Sequence, residues 1–361
     1  MNVLPRGGYP AQRPASIYPP NATRNRTATR FSGLQQDTVH LDHKPAGQQA
    51  SAKVVPAAAQ AVREDIYSLA NPLTSTVLSN EKIADDTHKI TFQVDDTLQW
   101  EPGQAIMVKC PDTILNNTGD GPHTAAYSIA NHYEPGNKTL ELLVKRLKKP
   151  EADGSTYRGR CSNYLCDLKP GEKAGLFGPV NHTLVLPHDP NINVIAVAGG
   201  TGLSPIRAEL SEREQAAGHA TMVFYGAKNP QNELCRDDLE TFAQSVPGAK
   251  VVVAYSASVP ATERQTKNNP TDNALTPDEI RDLPDVSSID NAYVQDAVHQ
   301  DGKQVLKLLE KPNTYFMFCG SNAMLKGLME TMDKICQENG KNWQELYARL
   351  LSENRWRVES A

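Results

Sequence analysis

The chain has 361 residues, 39% of them apolar, which is enough for two domains of ordinary size with hydrophobic cores of their own. No apolar run is long enough to span a bilayer and no apolar signal segment follows Met1, so we expect a soluble protein. The formal charge of −5 is uneven, because residues 1–63 hold eight Arg or Lys and two Asp, which is +6 and leaves −11 for the remainder. For this acidic body we predict no nucleic-acid partner.

The first 64 residues are rich in Pro, Ala, Gln, Asn, Thr and Arg and show little hydrophobic periodicity. Such a segment cannot bury enough apolar surface to offset its ordering entropy, so we predict a disordered basic extension over residues 1–64. Five arginines precede Asp37, the first acidic residue. This pattern suits an organelle transit segment, and it equally suits a tail that docks on an acidic partner or a membrane surface. We predict a cytoplasmic protein, with a plastid or another organelle as the alternative.

Residues 65–188 have the pattern of short antiparallel strands. Apolar and polar residues alternate over 90–94 and again over 140–144, and Pro-Gly or Asn-Gly-rich turns separate the segments. Short alternating strands with this punctuation favour an antiparallel β-barrel.

The pattern changes in residues 189–361. Continuous apolar runs, as expected of strands covered on both faces, alternate with helical stretches such as the apolar stripe over 324–336. The runs occupy residues 192–198, 223–226, 251–255 and 315–319. We therefore predict a β + α/β fold, in which the barrel precedes a doubly wound parallel sheet. Residues 258–291 are polar and Pro-rich, and we predict a long surface loop there.

The six cysteines are scattered, and no spacing matches a zinc or iron–sulfur site. We predict free thiols in a reducing compartment and no bound metal.

A glycine-rich turn follows the first of these buried strands. Residues 199–210 read GGTGLSPIRAEL, and such glycines let the backbone approach a pyrophosphate at the start of a helix. The segment departs from GxGxxG because Pro205 occupies the last place. The predicted nucleotide-binding residues here are Gly200, Thr201, Gly202 and Pro205.

Two further motifs are AYSIAN at residues 126–131 and GRCSNYLCDLKPG at residues 159–171. With these motifs, residues 71–359 resemble the plant-type ferredoxin–NADP reductase family. The resemblance also rests on NPLTSTVLSNEKI, GPV, VFYGAKN, AYS, YVQ and FCGSNAMLKG, which occur in the family's order. It implies that the barrel binds FAD and that the α/β domain binds NADP(H) or NAD(H).

The resemblance also implies roles for single residues. Tyr127 would stack on the flavin ring and Ser128 would hydrogen-bond near its reactive nitrogen. Cys319 and Glu359, the latter in a short C-terminal tail, would lie beside the nicotinamide, so the implied catalytic residues are Ser128, Cys319 and Glu359. The other implied FAD-binding residues are Ile129, Ala130, Gly159, Arg160, Cys161 and Ser162. The other implied nucleotide-binding residues are Ser256, Tyr293 and Gln295.

Two departures from the family pattern concern FAD. Ala125 stands where the family has an arginine that holds the FAD pyrophosphate, and Arg160 and Lys145 are candidate replacements. An aromatic residue that often covers the adenine after the KRL segment is absent, and Tyr157 is a candidate for that contact.

Two more departures concern the nicotinamide nucleotide. Ala257 and Ala297 stand where the family has arginines for the 2′-phosphate, and Lys228, Arg264 or Lys267 are candidate replacements. The choice between NADPH and NADH is left open. Ala361 stands where the family has a tyrosine that covers the flavin, so we expect freer access for the nicotinamide.

The predicted function is electron exchange between NAD(P)H and a one-electron protein carrier, ferredoxin or flavodoxin, through FAD. The basic run at 145–149 is a candidate docking patch for an acidic carrier, or an ordinary solvated face. Because several cofactor contacts are missing, an alternative is a reductase-like subunit of a larger electron-transfer assembly with weak or lost cofactor binding. An oxygenase reductase component is a third reading, with its iron–sulfur cluster on another chain.

Overall fold

The computed structural model describes residues 67–116, 118–151, 154–180, 183–213, 219–246, 248–257 and 286–360, all within the unit Ala61–Ala361. The predicted extension over residues 1–64 lies outside the described residues. No helix among the residues described is long and apolar enough to cross a membrane.

The first domain is a closed antiparallel sheet. Its strands occur in the order β4-β3-β8-β1-β2-β5, and an isolated antiparallel bridge between Ile129 and Leu142 joins the two edges of the sheet. A two-stranded hairpin, β6–β7, follows β5. The strands are β1 Leu73–Ala84, β2 Thr87–Gln93, β3 Ala105–Lys109, β4 Thr124–Ser128, β5 Thr139–Lys145, β6 Lys148–Pro150, β7 Thr156–Arg158 and β8 Lys173–Val180.

The alternation seen in the sequence produces the interior of this barrel. Ile90, Phe92, Leu140 and Leu142 are completely buried, since alternate side chains of a strand point to the same face. One helix was missed: α1, Arg160–Asp167, lies in a region where the sequence pattern indicated only strands. Its buried residues recur three to four positions apart, but the helix is little more than two turns long, so this helical spacing has little room to repeat.

The second domain is a six-stranded parallel sheet in the order β12-β11-β10-β9-β13-β14. Its strands are β9 Asn193–Gly199, β10 Thr221–Ala227, β11 Lys250–Tyr255, β12 Val286–Asp290, β13 Thr314–Gly320 and β14 Trp356–Ser360. Its helices are α2 Leu203–Arg213, α3 Arg236–Ser245, α4 Val294–Gln300, α5 Gly302–Leu309, α6 Asn322–Glu338 and α7 Trp343–Ser352.

Strand β9 is largely apolar because both of its faces are buried. Val194 and Ala196 belong to the hydrophobic cluster on one side of the sheet, while Ile195 and Val197 belong to the cluster on the other side. Both faces are covered, so the strand has no polar face. The predicted β + α/β class with a doubly wound second domain is confirmed.

Arg207 on α2 holds the two domains together. Its Nη1 donates to the carbonyl oxygen of Ala130 at 2.8 Å and to Oε2 of Glu141 at 2.6 Å, both in the barrel domain. Its Nε donates to Oδ2 of Asp238 at 2.6 Å within the second domain. The end of β4 is therefore fixed against the helix that begins at the glycine-rich turn.

Two expectations about loops were wrong. Residues 286–290 form the edge strand β12 rather than part of the predicted loop, and residues 258–285 lie outside the described residues. Glu359 lies in β14, paired with β13, rather than in a short tail. Both are edge strands with mixed polar sequences, because an edge strand needs apolar residues only where it meets the core.

Candidate functional site

The glycine-rich turn lies where the strand order of the second sheet reverses, between β9 and β13. In open α/β sheets, ligands bind outside the carboxyl ends of the strands at such a point. Gly200 to Gly202 form a 3₁₀ turn between β9 and α2, and Gly200 has a φ of +54°, which favours glycine. A Cβ on Gly202 would lie 2.1 Å from the carbonyl oxygen of Cys319, so this close approach requires glycine.

A cleft of about 670 Å³ opens above this turn. Its volume lies within the usual range for sites that bind small molecules and cofactors. The second domain contributes five of the residues predicted to bind the nucleotide: Gly200, Thr201, Ser256, Tyr293 and Gln295. The barrel contributes the wall formed by Ala84, Asp85, Asp86, Thr87 and Lys145.

Besides the first residues of the short helix α4, two helix N-termini meet at the cleft. Gly200 and Thr201 precede α2, and Ser321 is the N-cap of α6, where its hydroxyl accepts a hydrogen bond from the N–H of Met324 at 3.3 Å. Helix N-termini carry free N–H groups and a partial positive charge, which favours phosphate groups. Sequence reasoning missed the second helix start, although Ser321 follows a buried strand and precedes the apolar stripe of α6.

Cys319 and Glu359 lie side by side at the carboxyl ends of β13 and β14, where they are register partners. Burial, and secondly the Glu359 carboxylate, raise the pKa of the Cys319 thiol to about 12. Cys319 is therefore a neutral thiol at physiological pH, and it touches the glycine turn through its own carbonyl group. The resemblance placed these two residues at one site, and they are adjacent.

The remaining predicted nucleotide residues differ in exposure. Tyr293 is 63% exposed, whereas the side chain of Gln295 packs against Gly327 of α6. Pro205 is buried in the first turn of α2, where a missing N–H costs no intrahelical bond. Ala297 is completely buried in α4, so this position faces the core rather than the cleft. Arg264 and Lys267 lie outside the described residues.

Strand β4 carries the residues predicted to contact flavin. Tyr127 and Ser128 are half-buried at its end, and Tyr127 packs against the barrel core. Burial, together with the neighbouring thiol of Cys161, raises the pKa of Tyr127, so its phenol stays neutral. Ile129 and Ala130 are buried, and their N–H groups donate to the carbonyl oxygens of Gln104 and Glu141.

The start of α1 is tightly packed. A Cβ on Gly159 would lie 2.7 Å from Oγ of Ser162 and 2.8 Å from Cβ of Leu147. The Ser162 hydroxyl already accepts from the N–H of Leu147 at 3.1 Å, and Cys161 is only 2% exposed. The N–H of Gly159 donates to the carbonyl oxygen of Leu147 at 2.9 Å, so Cys161 and Ser162 are the residues that can offer a ligand first-turn N–H groups rather than side chains.

Arg160 is exposed at this helix start. Its Nη1 donates to the carbonyl oxygen of Leu115, and its charge, after burial, lowers the pKa of His123. His123, Ala125 and Tyr127 lie on one face, because alternate residues of a strand share a face. Arg160 therefore lies near the face from which the Ala125 side chain projects, whereas the other candidate replacement, Lys145, lines the cleft.

The β6–β7 hairpin carries an exposed aromatic ring. Tyr157 is 47% exposed and is the register partner of Lys149. Directly paired residues have their side chains on the same face of a hairpin, so Tyr157 and Lys149 share one face. Lys148 and Arg158 are paired on the opposite face.

The basic run at 145–149 does not form one surface. Arg146 lies 2.8 Å from Asp167 with its side chain only 16% exposed, so it does not belong to a docking patch. Lys148 lies 3.8 Å from Asp86. Lys145, Lys148 and Lys149 are exposed, so a docking role for the basic run stays a prediction for these three residues, without Arg146.

Two family models match this chain, one in each of its two domains. Residues 74–184 match the family model described as oxidoreductase FAD-binding domain, and residues 196–330 match oxidoreductase NAD-binding domain. The chain is 31% identical over 304 residues to the cyanelle ferredoxin–NADP reductase of Cyanophora paradoxa, covering 82% of this chain and 78% of that protein. It is 31% identical over 315 residues to the ferredoxin–NADP reductase of Thermosynechococcus vestitus, covering 82% and 74%.

A solved structure shares the fold. The ferredoxin–NADP⁺ reductase of Plasmodium falciparum with 2′P-AMP superimposes with a TM-score of 0.56 at 18% identity, covering 82% of this chain and 99% of that one.

Proposed function

Because the chain belongs to the ferredoxin–NADP reductase family, we propose that it is an FAD-dependent enzyme that exchanges electrons between NAD(P)H and ferredoxin. The observation that carries this proposal is the cleft at the switch point of the second sheet. It joins a glycine turn, two helix N-termini and an exposed ring on the second domain to a wall of the barrel domain. A nucleotide bound there would extend from the α/β domain towards the barrel.

The barrel residues fit a flavin. When bound, FAD accepts two electrons together as a hydride and releases them one at a time, which couples a nicotinamide to a one-electron carrier. Tyr127 offers a neutral ring at the end of β4, and Ser128 offers a hydroxyl beside it. Arg207 donates to the carbonyl oxygen of Ala130, two residues after Ser128. The side chains of Tyr127 and Ser128 are therefore fixed relative to the glycine turn.

Two residues with suitable chemistry lie near the positions where the family's FAD-binding side chains are absent. Arg160 lies by the face of Ala125 and retains further N–H donors beyond the one used on Leu115, so it can hold the pyrophosphate. Tyr157 shares a hairpin face with Lys149, one of the two lysines that follow the KRL segment, so its ring can cover the adenine. FAD affinity measured for Arg160→Ala and Tyr157→Ala, with Tyr157→Phe as the control, tests both roles. Wild-type affinity in both alanine variants would refute them.

The nucleotide residues act mainly through the backbone and through neutral groups. The N-termini of α2 and α6 receive the pyrophosphate, and the neutral thiol of Cys319 adds no charge where the nicotinamide must pass. The Glu359 carboxylate beside it favours the positively charged, oxidised nicotinamide ring. Positioning, rather than acid–base chemistry, is what these residues supply.

For the protein partner, we propose an acidic ferredoxin that docks near Lys148 and Arg158, on the hairpin face opposite Tyr157. Flavodoxin as a second carrier and docking through the basic residues 1–64 belong to the same proposal. So does a cytoplasmic or plastid location. We expect salt-dependent binding of ferredoxin that weakens in the double variant Lys148→Ala/Arg158→Ala. The control is Lys307→Ala, which removes an exposed lysine on α5 and should bind like wild type. Equal binding by wild type and both variants would refute this surface.

The decisive experiment is the absorption spectrum of the full chain before and after anaerobic NADPH and, separately, NADH. Flavin bands that bleach, followed by ferredoxin-dependent reduction of cytochrome c, are expected. A colourless protein that takes up no added FAD would overturn the proposal. It would favour the reductase-like subunit with lost cofactor binding.

A further inference from the structure

Two thiols from different elements meet in the core of the barrel domain. Cys110 follows β3, and its N–H donates to the carbonyl oxygen of His123 at 2.9 Å, which continues the pairing of β3 with β4. Alternate residues of a strand share a face, so its side chain projects with those of Ile106 and Val108, which are completely buried. Cys161, in the first turn of α1, belongs to the same hydrophobic cluster.

The two thiols are part of a chain of hydrogen bonds that begins at Tyr127. The phenol of Tyr127 donates to Sγ of Cys161, and the Cys161 thiol donates to Sγ of Cys110. The second of these hydrogen bonds lowers the pKa of the Cys110 thiol, whereas the same contact, together with burial, raises the pKa of the Cys161 thiol. Cys110 therefore loses its proton more readily and is the better nucleophile of the pair.

The pair is enclosed and distinct from the third thiol of this domain. Cys110 is 1% exposed and Cys161 is 2% exposed, and both are free. Cys166, in the same helix as Cys161, donates instead to the carbonyl oxygen of Val144 at 3.7 Å. Two groups that are held in contact react with each other at a high effective concentration, so oxidation of one thiol favours a bond to the other.

We propose that Cys110 and Cys161 form a site of reversible oxidation, at which hydrogen peroxide closes a disulfide between the end of β3 and the start of α1. The Cys110 thiol gives up its proton, its sulfur attacks one peroxide oxygen, and the O–O bond breaks. The departing hydroxide takes that proton and leaves as water. The Cys161 sulfur then attacks Sγ of the Cys110 sulfenic acid, the S–O bond breaks, and hydroxide leaves with the Cys161 proton as a second water.

The disulfide should also weaken FAD binding, an effect that rests on the proposed function. The S–S bond of a disulfide is about 2.0 Å long, shorter than a hydrogen-bonded contact between thiols, so closure must draw the start of α1 towards β3. The N–H groups of Cys161 and Ser162, which are predicted to hold the FAD pyrophosphate, would move with the helix. Losing one charge-assisted hydrogen bond to a phosphate lowers the affinity about 10-fold.

The site is tested on the full chain by mass spectrometry. Reduced wild-type protein is treated with hydrogen peroxide, denatured, alkylated with iodoacetamide and digested. We expect the peptides of Cys110 and Cys161 to be linked, and dithiothreitol added before alkylation to return both as alkylated peptides. The matched control is Cys166→Ala, which removes another thiol of the same helix and should form the link as wild type does.

The effect on the cofactor is tested by titrating FAD into the FAD-free full chain. Wild type should bind FAD about 10-fold more weakly after peroxide and recover with dithiothreitol, because closure of the disulfide displaces donors to the phosphate. Cys110→Ala cannot form the disulfide, so its FAD affinity should be the same before and after peroxide.

Two outcomes would overturn the inference. Alkylated Cys110 and Cys161 in peroxide-treated wild type, without a linked peptide, would show that the pair does not close. An equal loss of FAD affinity in Cys110→Ala and in wild type would show that the disulfide does not act on the cofactor. Reduced wild type that takes up no FAD would instead overturn the proposed function, while the linked peptide still decides the thiol site.

Discussion

Substituting Gly202 by alanine is the sharpest test of the glycine turn. The added Cβ would lie 2.1 Å from the carbonyl oxygen and 2.6 Å from the carbonyl carbon of Cys319, and both are backbone atoms that no rotamer change can move. The turn would have to move away from β13 by more than about 1 Å to reach an ordinary van der Waals separation. Overpacking of this kind costs about 1–3 kcal/mol of stability.

The effect on activity should exceed the effect on folding. A displacement of about 1 Å between positioning groups can cost on the order of 100-fold in rate, so we expect NADPH-dependent flavin reduction to fall by up to that factor. Gly202 is not among the residues predicted to bind FAD, so FAD content should be unchanged. Gly121→Ala is the matched control, because its Cβ would meet nothing nearer than an Asn116 amide nitrogen at 4.0 Å. Wild-type rates and nucleotide affinity in Gly202→Ala, measured by anaerobic stopped-flow, would refute the assignment of this turn.

Two further predictions concern the interdomain contacts of Arg207 and the thiol of Cys319. Arg207→Ala should lower the free energy of unfolding by about 2–4 kcal/mol in urea titrations, because Glu141, 19% exposed, loses its charged partner. A change below about 0.5 kcal/mol, typical of surface sites, would show that Arg207 does not hold the two domains together. Cys319, with a pKa raised to about 12, should react with iodoacetamide at pH 8 about three orders of magnitude more slowly than free cysteine. Glu359→Gln removes a charge that disfavours the thiolate, so alkylation, followed by mass spectrometry, should accelerate at a given pH; an unchanged pH profile would show that the carboxylate does not act on the thiol.

The fold could be predicted from the sequence where burial has a clear period. Alternation over 90–94 and 140–144 indicated half-buried strands, and the run at 192–198 indicated a strand covered on both faces. Prediction failed where the period is short or mixed. Helix α1 has eight residues, too few for a helical repeat to stand out, and β12 and β14 are edge strands with polar sequences.

The candidate site divides in the same way. The glycine turn could be predicted because glycines after a buried strand have a direct steric reason, and Gly202 has one. Arg207 could not be predicted as the link between domains, since its partners lie 77 and 66 positions away in the chain. Arg146 could not be excluded from the candidate docking run over 145–149 by sequence, because its ion pair with Asp167 depends on how α1 packs on β5.

The missing family residues bear on whether the chain is an active reductase or a subunit with lost cofactor binding. Loss of constraint would remove contacts independently, with no reason for a similar group to lie beside each vacancy. Lys149, one of the two lysines that follow the KRL segment, instead faces Tyr157, and Arg160 lies near the face of Ala125. In both cases a nearby residue has the required chemistry, a ring or a cation. The pattern therefore favours retained FAD binding, and the FAD affinities of Arg160→Ala and Tyr157→Ala test that argument.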